Sequence, residues 1–233
     1  MSRKVTFNQA WTGEADCLNC AIRSSALFNG LTQEDFDQMH QPVDQMQVKQ
    51  GDVLYQVGEK GRHLYTIRTG LVKLAQYMPD GTQRIVRLES STDVLGLELL
   101  VEENYAHEAI ALRPTELCRY PVSAVEKLSQ TNPVLHKDLM GRWQKALNSA
   151  DDWLTQLSTG PAKKRLASLF LKLADENSEC FLLSREDVGS ILSLTTETAS
   201  RMVSELKRAA VIREQGKNHF SLDIGALEAI VAE

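Results

Sequence analysis

Two groups of side chains in this sequence have the types and spacing to do chemistry. Cys17 and Cys20 form a C-x-x-C pair in a polar stretch that precedes any apolar periodicity. Thiolates paired at that spacing ligate a metal or cycle between dithiol and disulfide, and a polar segment has little structural use for them. Cys118 and Cys180 sit instead in strand-like runs, where a thiol usually serves as a small buried hydrophobe. The second group is Glu197, Thr198, Ser200, Arg201, Ser204 and Lys207. These fall on one face of a helix whose other face carries Ala199, Met202, Val203 and Leu206. An Arg on such a helix, laid in a major groove, takes guanine O6 and N7 bidentately.

The elements that position this second group are marked in the sequence. Ser184 caps a first helix, with Asp187 three residues on as the acidic partner of a capping box. Val188, Ile191 and Leu192 give that helix one apolar side, Leu194 falls in the break, and Thr195 or Thr196 caps the second helix. Two short helices joined by a tight turn make a helix-turn-helix. An ordinary helical hairpin with a solvated face would show the same periodicity. The segment after the second helix favours DNA, because Val211 to Asp223 reads as two short strands around Gly216, Lys217 and Asn218, a wing with a basic tip.

Upstream the pattern changes three times. Residues 1–26 read as a flexible segment carrying the C-x-x-C, and Leu27 to Phe36 as a short helix entering the first folded domain. Residues 27–121 then alternate apolar runs with turns at Gly51-Asp52, Gly58, Gly70 and Pro79-Asp80-Gly81, the signature of a closed or sandwiched all-β domain. Residues 122–159 return to helical periodicity. There Leu139, Trp143, Ala146, Ala150, Trp153 and Leu157 step by 4, 3, 4, 3 and 4, a heptad seam that predicts a homodimer, with Leu147 and Leu154 turned toward the chain's own domain. Gly160-Pro161 breaks the helix, leaving 160–233 as the DNA-binding domain. In it Ala162 to Ala174 is the first helix, Ser178 to Leu183 a strand and Leu227 to Val231 a closing helix. The fold class is α+β: a β-roll, a long dimerisation helix and a winged helix-turn-helix.

Composition agrees. Of 233 residues, 42% are hydrophobic and 24% charged, no apolar run is long enough to span a bilayer, and the N-terminus lacks the apolar core of a signal peptide. The expected location is the cytoplasm, with no membrane partner. A net charge of −5 would be odd for a protein that coats DNA, but Lys and Arg concentrate between Lys163 and Lys217. A local basic patch on an acidic body suits salt-sensitive, sequence-selective binding.

The run Glu197-Thr198-Ala199-Ser200-Arg201 resembles the E-x-x-S-R pattern of the Fnr branch of the Crp/Fnr family of bacterial transcription regulators. The R-E-x-x-x-R of the Crp branch would need Arg at Thr196. The resemblance implies that Glu197, Ser200 and Arg201 read a TTGAT-type half-site of palindromic double-stranded DNA, with Thr195, Thr196, Ser184, Lys207 and Lys217 completing the DNA-facing set. Lys49 to Lys73, as K-x-G-D-x-L-Y-x-x-G-E and L-Y-x-I-x-x-G-x-V-K, is similar to the cyclic-nucleotide-type β-roll. In nucleotide-binding members a Glu follows the conserved Gly, and an Arg-Ser or Arg-Thr/Ala pair later holds the cyclic phosphate. Here Gly96 precedes Leu97 and the pair falls at His107-Glu108, where a carboxylate would repel phosphate, so the reading is against cyclic AMP. Fnr-type oxygen sensors hold a four-iron–four-sulfur cluster on four cysteines. Cys17, Cys20 and Cys118 match three of them, and the remaining position falls on Ala26. The resemblance thus implies an iron–sulfur cluster responding to oxygen or nitric oxide, held here by three thiolates with a nearby carboxylate or small ligand. Open alternatives are a Cys17–Cys20 thiol switch, a different metal, a vestigial pair, haem on His40, His63, His107 or His136, another small ligand, or constitutive DNA binding. The loop Met78 to Gln83 is similar to a surface that contacts RNA polymerase in the family, which implies activation.

Other classes fit less well. A cupin-type enzyme needs clustered His, whereas these five are scattered, and no G-x-S-x-G or phosphate loop is present, so no enzyme activity is expected. A cyclic-nucleotide-type binding subunit that never touches DNA would leave the E-x-x-S-R helix without a role.

Overall fold

The computed structural model describes residues 3–17, 19–22, 27, 29, 32 and 43–232. The chain divides into two compact units, one of residues 1–76 and 87–148, the other of residues 77–86 and 149–233.

In the first unit two five-stranded sheets make the β-roll. One has the order β1 (Arg3–Lys4), β4 (Asp52–Tyr55), β9 (Glu108–Ala111), β6 (Leu71–Tyr77), β7 (Gln83–Ser90). The other runs β2 (Trp11–Glu14), β3 (Asp44–Val48), β10 (Thr115–Pro121), β5 (His63–Thr69), β8 (Val94–Leu95). Strands β5, β6 and β9 are buried along most of their length. That explains why they read as continuous apolar runs rather than alternations. Gly70 turns β5 into β6 at φ 110, and a Cβ there would lie 2.3 Å from Thr115 Oγ1, so the corner admits only glycine.

The described part of the N-terminal segment is not the flexible tail expected of it. Arg3 and Lys4 pair in parallel with Asp52 and Val53, and Trp11 to Glu14 pair antiparallel with β3. A short helix, α1 (Phe7–Ala10), lies between, with Ala10 buried and the Arg119 guanidinium 3.7 Å from the centre of the Phe7 ring. Trp11 Nε1 donates to Asp44, which also accepts from Arg119 at 2.8 Å. Partners 30 to 112 residues away supply the order, and local periodicity does not report them. The expected entry helix from Leu27 to Phe36 falls almost wholly outside the described residues, as do Ala26 and His40.

After β10 come α2 (Val122–Thr131) and α3 (Pro133–Asp152). Pro133 breaks the helix, and Asn132 Oδ1 caps the second part by accepting from the Val134 and Leu135 amides. The helix closes in one π-turn, Trp153–Leu157, with Ser158 N donating to Trp153 O. No helix among the described residues is long and apolar enough to cross a membrane.

The second unit contains α4 (Ala162–Leu173), β11 (Glu179–Phe181), α5 (Arg185–Leu192), α6 (Thr196–Arg208), β12 (Ile212–Gly216), β13 (His219–Leu222) and α7 (Ile224–Ala232). Leu166, Leu169 and Phe170 of α4 are fully buried together with Val188, Leu192, Leu206 and Leu227. Phe170 meets Phe220 edge-on at 5.8 Å. The three short strands form a sheet in the order β11-β13-β12.

Candidate nucleic-acid interface and sensor cysteines

Helices α5 and α6 are built by their caps. Ser184 Oγ accepts from Asp187 N at 3.0 Å and donates to the Asp187 carboxylate at 2.7 Å. Thr195 Oγ1 accepts from Thr198 N at 3.1 Å, so Thr195 rather than Thr196 is the cap. Acidic residues in the first turns, Glu186 and Asp187 in α5 and Glu197 in α6, suit the positive helix ends. The turn between the helices is tight because Gly189 O accepts from both Ser193 N and Leu194 N. Gly189 itself must be glycine, since a Cβ there would lie 2.6 Å from the Leu194 carbonyl oxygen. Gly189→Ala is expected to destabilise this unit by about 1–3 kcal/mol, read as a lower melting midpoint.

With Ala199, Val203 and Leu206 buried, α6 turns Thr196, Glu197, Arg201, Ser204 and Lys207 outward and leaves Ser200 half-buried. Among the described residues neither Glu197 nor Arg201 has an ion-pair or hydrogen-bond partner. Lys207 is engaged by Glu214 of the wing, and the hydroxyls of Ser184 and Thr195 are committed to capping. Lys217 lies exposed at the wing tip, where Asn218 takes φ 58 to close the β12–β13 turn. Sequence reading passed over Gly189, the hairpin residue Arg84, and Arg165, which donates to the Leu192 carbonyl at the end of α5. A lone Gly or Arg carries no local signal of the backbone it meets.

The expected seam is divided. Leu139, Trp153 and Leu157 are buried within the single chain, at 4%, 6% and 2% exposure, while Trp143, Ala146 and Ala150 are half-buried. Leu147 and Leu154, expected to face inward, are 57% and 62% exposed, and Met140 is exposed with them. The exposed apolar positions are therefore Met140, Leu147 and Leu154, which with the half-buried Trp143 and Ala150 make a stripe that shares those two residues with the expected seam and no others.

All four cysteines are thiols. Cys17 and Cys20 are partly exposed, while Cys118 on β10 and Cys180 on β11 are buried. Arg68 Nη1 lies 4.0 Å from Cys118 Sγ, donates to Gln45 Oε1 and faces Glu116. Burial holds the Cys118 thiol above its ordinary pKa, Arg68 pulls the other way, and Cys20 is close enough to raise it further. The described residues contain no group of three or more Cys, His, Asp or Glu placed to hold a metal. With Ala26 at the remaining position, the donor set does not fit a four-thiolate cluster. His63 and His107 are each held toward the neutral form, first by burial, and neither belongs to such a group among the described residues. Glu108, at the position of the cyclic-phosphate pair, is 7% exposed on β9.

Comparison with known proteins places this geometry. Residues 45–132 match the family model of the cyclic nucleotide-binding domain, and residues 164–230 that of the Crp-like helix-turn-helix domain. The chain belongs to the Crp/Fnr family of transcription regulators. Similar relatives of this Crp/Fnr chain include a probable transcriptional activator of Rhizobium leguminosarum, 26% identical and covering 93% of each chain. The transcriptional activator protein anr of Pseudomonas aeruginosa is 26% identical over 90% of each. The fumarate and nitrate reduction regulatory protein of Vibrio cholerae is 24% identical over 86% of this chain and 84% of its own. The solved structure of FixK2 from Bradyrhizobium japonicum shares the fold, with a TM-score of 0.76 at 24% identity, covering 82% of this chain and 98% of that one. Members of this Crp/Fnr family are regulators with a DNA-binding helix-turn-helix, not enzymes.

Proposed function

We propose that this Crp/Fnr chain is a cytoplasmic homodimer that binds a TTGAT-type palindrome through α6 and activates transcription in response to a redox signal at its N-terminal cysteines. The observation that carries the DNA reading is the outward, unpartnered pair Glu197 and Arg201, one turn apart on a capped helix. Arg201 reads guanine, Glu197 accepts from a cytosine amino group, and Ser200 lies between them. Lys217 meets the backbone from the wing. The apolar register Met140 to Leu154 supports dimerisation, which sets two α6 helices against half-sites one helical turn apart (roughly 34 Å). The exposed hairpin residues Tyr77 and Met78 leave a surface for RNA polymerase.

For the signal we favour Cys17 and Cys20 acting as thiols. Two thiols yield a disulfide by giving two protons and two electrons to an oxidant such as a peroxide, and the product strains the segment after β2. A buried carboxylate at Glu108 disfavours a cyclic phosphate in the β-roll. The test is anaerobic purification with iron and sulfide analysis, followed by oxidation and thiol counting. Iron-free protein that loses two accessible thiols and changes its affinity for the palindrome is the expected result. Stoichiometric iron and sulfide, or a haem spectrum, would replace the thiol reading, and unchanged affinity on oxidation would remove it.

A further inference from the structure

We infer that Arg84, on the hairpin formed by β6 and β7, is a positioning residue for DNA reading: through Ser193 it holds the turn that aims the recognition helix. This rests on the assignment of α6 as the reader. Residues 77–86 cluster with the compact unit that contains the helix-turn-helix. Within that unit Arg84 Nη1 donates to Ser193 Oγ. Ser193 is the C-terminal cap of α5 and takes φ 57, ψ 44, a left-handed conformation in which glycine is at ease and serine is strained. A serine at the one residue of this turn where glycine would cost less makes sense if its hydroxyl has work to do, and the Arg84 contact is that work.

The surroundings fit a built contact rather than a chance one. Arg165 Nη1 donates to the Leu192 carbonyl, so two guanidiniums converge on the negative end of α5. Neither has an ion-pair partner among the described residues. Burial, and then the nearby Arg84, makes the Arg165 guanidinium easier to deprotonate than usual, an electrostatic cost that the helix end must offset. The hairpin is stiff enough to transmit force. Met78 N donates to Thr82 O, Gly81 N to Met78 O and Thr82 N to Asp80 Oδ1, while Gln83 Nε2 reaches Tyr77 Oη at 2.9 Å. Two residues beyond Ser193, Thr195 caps α6. A rotation at Ser193 therefore redirects Glu197 and Arg201 together, although neither touches Arg84.

The test compares Arg84→Ala, Ser193→Gly and the double variant for binding to a labelled TTGAT palindrome, with Arg201→Ala in each background. Each single change is expected to weaken binding about tenfold, the scale of one charge-assisted hydrogen bond, and the double variant no more than the weaker single. Ser193→Gly should melt no lower than the parent, because glycine relieves the left-handed turn. Lost affinity without lost stability is a result that a merely structural role would not give. Unaltered binding by Ser193→Gly, additive losses, or tighter binding by either variant would overturn the inference. So would a salt dependence reduced by about one phosphate in Arg84→Ala alone, since Arg84 would then be a DNA contact. Arg201→Ala separates the two levels: if it binds like the parent, the reader assignment fails independently of Arg84.

Discussion

Arg201→Ala is expected to lower affinity for a TTGAT-type palindrome by about a hundredfold or more, measured by fluorescence anisotropy at fixed salt. A bidentate Arg–guanine pair discriminates by about 1–3 kcal/mol, and a homodimer makes it twice. The side chain is exposed and has no partner within the described protein, so its removal leaves no buried group unpaired and the melting midpoint should hold. Affinity for unrelated DNA should fall far less, because that binding rests on phosphate contacts made elsewhere. Equal losses on both DNAs would make Arg201 a backbone contact and undo the base-reading assignment.

The second large effect is expected at Leu147. Leu147→Asp should convert the dimer to a monomer at micromolar concentration in sedimentation velocity and reduce palindrome binding with it. Each buried leucine contributes about 1.5–3 kcal/mol, both copies lose one, and both gain a carboxylate to desolvate. A shift of about a thousandfold in the dimer constant is the minimum that this implies. The side chain is 57% exposed in the single chain, so the fold of each protomer should survive the change. A dimer that persists would move the interface away from this face.

That register shows where sequence patterns stop being informative. The steps of 4, 3, 4, 3 and 4 that begin at Leu139 are real, but the steps of 3, 4, 3 and 4 that begin at Met140 are as regular. Periodicity cannot say which stripe meets its own chain. The π-turn at Trp153–Leu157 adds to the ambiguity by moving the phase of the residues after it. The helix-turn-helix was legible because its determinants are local: Ser184 with Asp187, Thr195 with Thr198, and a 3.6-residue apolar stripe. The same holds for the strand runs around Gly51 and Gly70. What escaped depends on groups far apart in the chain. Arg84 and Ser193 are 109 residues apart, and Arg119 and Asp44 are 75 apart. Spacing alone put Glu197 and Arg201 on the outer face of their helix, where the structure also has them, while the glycine that shapes their turn was evident only from the carbonyl it meets.

Residues 3–14 have a practical consequence. A designer trimming a polar leader would cut at the first strand of the β-roll. Here that cut would strip β1 from β4 and β2 from β3, uncovering one edge of each five-stranded sheet. Two raw edges on one small protein invite strand-to-strand association between molecules. The leader thus doubles as a solubility guard, and a shortened form that precipitates would report missing edge protection rather than a broken reader.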